Sequence, residues 1–184
     1  MPLPDTRRRY TVAEVLQFPD DGNRYELIRG ELIVSPAPAP RHDVVLRRMG
    51  RLLEDYLESV GRPDTLFGLG DISWDDETLV QPDLFVVPPN EVTNSWSTFR
   101  TLLLAVEVLS PSSGRRDRVD KRRLYQNQRV AAYWIVDHDA GVVEVWTPAD
   151  ERPLMATASL TWRVTPNAPE LAIDLEALFR GLPG

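Results

Sequence analysis

Hydrophobic positions recur along this chain with two different periods, and the switches between them mark out its elements. Between His42 and Val60 the apolar residues Val45, Met49, Leu52, Leu53, Tyr56, Leu57 and Val60 fall three and four apart, the spacing of one helix face, and Gly61 stands where a C-cap belongs. That is the strongest helical pattern in the chain. Thr11-Val12-Ala13-Glu14 has the form of a capping box and predicts a brief helix through Phe18, closed by Pro19-Asp20-Asp21-Gly22.

Elsewhere the pattern is that of strands. The run RYELIRGELIVSP places two β-rich segments around Arg29-Gly30 and predicts a hairpin. Further strands are predicted at 65–69, 71–74, 79–87 and 101–109, and the last, centred on LLLAVEVL, is apolar enough to be a central strand. A second helix is predicted over 116–128, then strands at 132–136 and 142–146 joined through Asp137-His138-Asp139-Ala140-Gly141. Short strands and a closing helix at 174–179 complete an α+β pattern with no repeat or linker, so residues 1–184 read as one domain.

Composition narrows the function classes. Cysteine is absent and the only histidines are His42 and His138, so thiolate zinc sites and cysteine nucleophiles are excluded and a metal would sit on oxygens. No apolar run approaches the roughly 20 residues of a membrane span, and MPLPDTRRRY lacks the apolar centre of a secretory signal, so a cytoplasmic location is expected. A formal charge of −7 argues against non-specific coating of nucleic acid, although a local basic patch could still bind. Gly-rich phosphate loops, His-Glu-x-x-His and Gly-x-Ser-x-Gly are all missing. Ser110-Pro111-Ser112-Ser113-Gly114 has no histidine spaced as a general base and reads as a loop.

Two carboxylates interrupt strands that otherwise look buried: Asp83 in LVQPDLFVV and Glu107 in LLLAVEVL. An unpaired carboxylate there costs on the order of several kcal/mol, so each needs a cation, donors or water. A shared Mg²⁺ or Mn²⁺ would serve both, since Mg²⁺ takes one or two carboxylates plus water and phosphate oxygens. Salt bridges to arginine are the plainer alternative. Lys121 alters that balance, because it is the one lysine among 21 basic residues. It shares a helix face with Asp117, Leu124, Tyr125 and Gln128 and can point toward the two acids. Its plainer reading is a solvated pair with Asp117 worth about 0.3 to 0.5 kcal/mol, on which replacement by arginine would barely change stability. Around it, Arg115, Arg116, Arg118, Arg122, Arg123 and Arg129 form either a solvated face or a hold on a phosphodiester backbone.

Taken in order, YELIRGELIV, His42, Gln81-Pro82-Asp83, Val106-Glu107-Val108-Leu109-Ser110-Pro111-Ser112-Ser113, the Asp117 to Lys121 spacing and Tyr133-Trp134-Ile135-Val136-Asp137 resemble the Uma-type family of restriction-endonuclease-like proteins. The resemblance runs from Tyr10 to about Trp146 and implies a PD-(D/E)xK nuclease core, a mixed sheet flanked by helices. It further implies that Asp83 and Glu107 hold Mg²⁺ or Mn²⁺ with the carbonyl of Val108, that Lys121 positions or activates the attacking water, that Glu26 adds a carboxylate where its plainer reading is an exposed hairpin residue, and that His42 lies near the cleft where its plainer reading is a helix N-terminal residue satisfied by its neighbours. Leu109 stands where the superfamily pattern has lysine, and Lys121 on the following helix is the matching position. DNA is the substrate the resemblance implies, and a homodimer is left open. A catalytically silent scaffold and a hydrolase for another phosphate-containing substrate are the alternatives.

Overall fold

The computed structural model describes residues 4–110 and 113–183. Its centre is a six-stranded sheet in the order β10-β9-β8-β7-β6-β3, made of β3 (Leu66–Phe67), β6 (Leu84–Val86), β7 (Leu104–Val108), β8 (Tyr133–Asp137), β9 (Val142–Trp146) and β10 (Leu154–Ala156). Only β7 and β8 pair in parallel within it, which makes the sheet mixed and requires a crossover between them. That crossover is α3 (Gly114–Arg116), a π-helical turn (Asp117–Lys121) and α4 (Arg122–Asn127). The expected helix over 116–128 is therefore present but widened in the middle.

Alternation along β7 decides what each side chain meets. Leu104, Val106 and Val108 face α2 (Pro40–Ser59), where Val45, Met49, Leu53 and Leu57 close one core. Ala105 and Leu109 face the other way, into a second core with Phe85, Ile135, Leu124 and Tyr125. Glu107 shares that second face by the period of two. The helix α2 begins at Pro40, two residues before the periodic run, because proline is well suited to a first helical turn. Its end matches the sequence, with Gly61 at φ 72° donating to the Glu58 carbonyl.

A second sheet lies beside the first in the order β2-β1-β5-β4, from β1 (Arg24–Ile28), β2 (Glu31–Ser35), β4 (Ile72–Asp75) and β5 (Thr78–Val80). The β1–β2 hairpin turns on Arg29 and Gly30 alone, both at positive φ, and Ile28 pairs with Glu31 across it. Tyr25 and Leu27 pack on Leu32, Leu79 and Val15 of α1 (Val12–Val15), whose capping box of Thr11 and Glu14 is formed. Arg24, Glu26 and Ile28 alternate to the opposite side.

The expected single strand over 79–87 is two strands in different sheets. Pro82 has no N–H for a ladder, and the Gln81 N–H donates to the Glu26 carboxylate at 2.8 Å instead. The chain crosses from β5 to β6 at Gln81-Pro82-Asp83, so Asp83 stands at the threshold of β6 and not within a strand. Gly68 permits this crossing to pack closely, for a Cβ there would lie 3.0 Å from the Asp83 carbonyl oxygen. The chain closes with β11 (Ser159–Trp162), β12 (Leu171–Asp174) and α5 (Leu175–Phe179), whose N-cap is Asp174. Among the described residues no helix is long and apolar enough to cross a membrane.

Candidate active site

Leu84 pairs with Val106, and one further step of the same antiparallel register brings Asp83 opposite Glu107. Both carboxylates line a cavity of 540 Å³ together with Arg24, Glu26, His42 and Lys121. Four separate elements meet there: β1, the start of α2, the β6–β7 edge and the π turn. Strand and helix period contribute to the convergence, since Arg24 and Glu26 share one face of β1 while Asp117, Lys121 and Tyr125 follow at intervals of four.

Asp83 is saturated with donors. Its Oδ1 accepts from Arg24 Nη1 at 2.7 Å, and its Oδ2 accepts from the Val108 N–H at 2.8 Å and lies 3.0 Å from His42 Nε2. Burial opposes ionisation, yet the His42 imidazole, Arg24 and the Val108 N–H outweigh it and hold this carboxyl below its ordinary value. The salt bridge to arginine that the sequence left open for Asp83 is thus present. His42 is buried, and among the described residues its Nδ1 meets no hydrogen-bond partner.

Lys121 organises the other acids. Its Nζ lies 2.8 Å from Glu107 Oε1, 2.9 Å from Glu26 Oε1 and 3.9 Å from Asp117 Oδ1. Only 3% of the residue is exposed, so the expectation of a solvated pair with Asp117 is overturned: the π turn directs the ammonium inward, and Asp117 is its most distant acid. Glu26 is likewise no exposed hairpin residue, being 3% exposed and bound by Lys121 and the Gln81 N–H. The Tyr125 hydroxyl donates to Glu107 Oε1 at 3.1 Å, and burial, helped by Glu107, keeps that phenol firmly protonated.

Charge is unbalanced in this cluster. Four carboxylates, Glu26, Asp83, Glu107 and Asp117, outnumber the two fixed cations that pair with them, Arg24 and Lys121, with His42 also against Asp83. Burial pushes Glu107 well above its usual carboxyl value despite Lys121, and Asp83, Asp117 and Glu26 push it further. Burial by itself would strip the proton from Lys121, but Glu107, Glu26 and Asp117 reverse that and raise it. The cluster thus favours the ammonium of Lys121, while Glu107 and Asp117 hold a proton more tightly than free carboxylates do.

Sequence reasoning found Asp83, Glu107, Lys121, Glu26 and His42, and all five line the same cavity. It missed Arg24 as the partner of Asp83 and Tyr125 as a donor to Glu107. The signal for Arg24 was its position two residues before Glu26, and for Tyr125 its position four residues after Lys121. Ser110 and Ser113 also line the cavity, while Pro111 and Ser112 lie outside the described residues.

Among the described residues no three His, Cys, Asp or Glu side chains are gathered as a ready metal-binding group. Asp83 and Glu107 reach the same cavity from opposed positions of the β6–β7 register. A hard divalent ion is compatible with such a pair, because Mg²⁺ needs only one or two carboxylates beside water and phosphate oxygens.

Comparison with known proteins adds a family. A family model described as "Uma2: Putative restriction endonuclease" matches residues 12–176. A solved structure described as a "putative nuclease belonging to DUF820", from Anabaena variabilis, is similar over 94% of this chain and 99% of that one, with a TM-score of 0.76 at 20% identity. That likeness establishes a nuclease-type fold. No curated protein matches the sequence.

Proposed function

The chain belongs to the Uma2 family, and from that premise we propose that it is a metal-dependent endonuclease that hydrolyses phosphodiester bonds in DNA. Asp83 and Glu107 are its metal-holding carboxylates, and Glu26 and Lys121 complete the catalytic group. The observation that carries this reading is the buried acid cluster, in which Asp83 and Glu107 stand opposite one another in the β6–β7 register and line one cavity with Glu26, Asp117 and Lys121. A divalent ion bound there would polarise the phosphoryl oxygens and lower the pKa of a bound water.

The chain's own residues have distinct tasks. Lys121 is held protonated by three acids, so it serves as a fixed positive charge and not as a proton acceptor. It orients Glu26 and Glu107 and offsets charge on the scissile phosphate. Tyr125 fixes the rotamer of Glu107 through its hydroxyl. Arg24 and His42 orient Asp83, and the Arg24 guanidinium is a second group able to meet a phosphate.

One observation favours a silent scaffold instead: Asp83 already has three protein partners and needs no ion to be satisfied. Mn²⁺ titration followed by electron paramagnetic resonance separates the two readings. A nuclease binds Mn²⁺ at one site that Glu107→Gln abolishes; no bound Mn²⁺, or binding indifferent to Glu107, supports the scaffold.

A further inference from the structure

A second cavity, of 710 Å³, lies on the other side of the π turn and is walled by arginine: Arg7, Arg8, Arg9, Arg29, Arg116 and Arg123, against only Glu31 and Asp120. These residues come from three places in the chain, namely the segment before α1, the tip of the β1–β2 hairpin and the α3–α4 crossover. Six of 21 basic residues thus gather in one groove of a protein whose net charge is −7. We propose that this groove binds the phosphodiester backbone of DNA flanking the scissile bond.

Three features favour that occupant over a merely solvated face. Among the described residues Arg29, Arg116 and Arg123 make no ion pair, although the chain carries 28 acidic residues that could have supplied one. Unpaired arginines held together repel one another, and an anion relieves that repulsion. The groove is also joined to the acid cavity, because Arg116 lines both, and Asp120 on the groove side is the chain neighbour of Lys121 on the site side. A backbone lying across Arg116 therefore leads from the groove to Asp83 and Glu107.

The remaining three arginines are paired, Arg7 with Asp5 at 2.9 Å. Arg9 donates to the Arg29 carbonyl and pairs with Glu77 at 3.2 Å, which ties the leading segment to the hairpin tip. Arg8 lies 4.1 Å over the Tyr10 ring and pairs with Glu14. These are exposed pairs of small energy, which a phosphate can displace. Guanidinium forks meet phosphate oxygens two at a time, so an arginine wall suits a run of phosphates better than a point charge does.

This inference rests on the nuclease reading for its choice of DNA, but its test is independent of cleavage. The measurement is fluorescence anisotropy of a labelled DNA duplex in EDTA across a range of NaCl concentrations. The variants are R29A/R116A/R123A, the single R123E, and R152A as an exposed arginine outside the groove. The triple variant is expected to weaken binding by about tenfold or more and to flatten the slope of log K against log salt by about 0.9 per lost phosphate contact. R123E should weaken binding on its own, and R152A should match the wild type. Wild-type affinity and slope in both groove variants would overturn the proposal while leaving the nuclease reading intact. Tight binding of a polyglutamate peptide with no binding of DNA would overturn it in favour of an acidic protein partner. Groove-dependent DNA binding without Mg²⁺-dependent cleavage would support the groove and count against the nuclease.

Discussion

The ammonium of Lys121 lies 2.8 Å from Oε1 of Glu107, and both side chains are buried. Burying the two charges together costs far less than burying either unpaired. The same ammonium reaches Glu26 at 2.9 Å, so one lysine couples β1 to β7 and thereby one sheet to the other.

Replacement of that lysine is the first prediction. Lys121→Arg lowers cleavage by at least about 100-fold, because the broad guanidinium cannot point a single charge between Glu26 and Glu107. It also costs about 1 to 3 kcal/mol of stability through overpacking, in place of the small effect expected for a solvated helix pair. Lys121→Met, which leaves the acids without a cation, costs about 3 to 5 kcal/mol. Chemical denaturation with parallel cleavage assays checks both; an unchanged midpoint for Lys121→Arg would contradict the buried geometry.

Asp83 offers a structural counterpart. Asp83→Ala strips the partner from Arg24 and His42 and from the Val108 N–H, so a loss of about 3 kcal/mol is expected even in EDTA. Pairing Asp83→Ala with Arg24→Ala should cost less than the sum of the two single changes. Strict additivity in that double-mutant cycle would show that the 2.7 Å contact carries no coupling.

The raised Glu107 predicts how the metal-free protein responds to pH. Because the folded state holds the Glu107 proton more tightly than the unfolded chain, its contribution is fully present below the ordinary value of 4.5 and is lost as pH rises through the raised folded value. Asp83 has the opposite sign: its contribution is present above 3.8 and is lost as pH falls through its lowered folded value. Glu107→Gln, which imitates the protonated acid, should therefore lose less stability than wild type as pH rises above 4.5. Parallel pH profiles for the two proteins would contradict the assignment. Divalent ion binding should also release protons, which calorimetry in buffers of different ionisation enthalpy detects.

Much of the site could be read in the sequence because burial made it conspicuous. Asp83 and Glu107 interrupt apolar runs, and Lys121 is the single lysine of an arginine-rich chain. The α+β pattern, the hairpin at Arg29-Gly30 and the long helix α2 follow from periodicity for the same reason. What stayed hidden depends on partners distant in sequence. The strand break at Gln81-Pro82-Asp83 is secured by Glu26, 55 residues earlier, which accepts the Gln81 N–H. Local periodicity likewise carries no sign of the π turn, which seats Lys121 between two sheets.

DNA affinity should respond to ions in two opposed ways. A divalent cation bridging the acid cluster and a phosphate strengthens binding, whereas NaCl weakens it by screening and by counterion competition. Anisotropy titrations with and without Mg²⁺ at several NaCl concentrations measure both trends. Salt-insensitive binding would remove the phosphate contacts on which the proposed function depends.

The most direct test of the central claim is cleavage of supercoiled plasmid by the full chain in Mg²⁺ or Mn²⁺, set beside the same reaction in EDTA and beside Glu107→Gln. Glu107→Gln is the informative variant, since the amide keeps the side chain's size and a donor-acceptor group near Tyr125 while removing the negative charge a divalent ion needs. The account predicts nicking and linearisation by the wild type only with the divalent ion, and loss of both in Glu107→Gln with the fold retained. Failure of the wild type to cut in either ion, or equal cutting by Glu107→Gln, would contradict it.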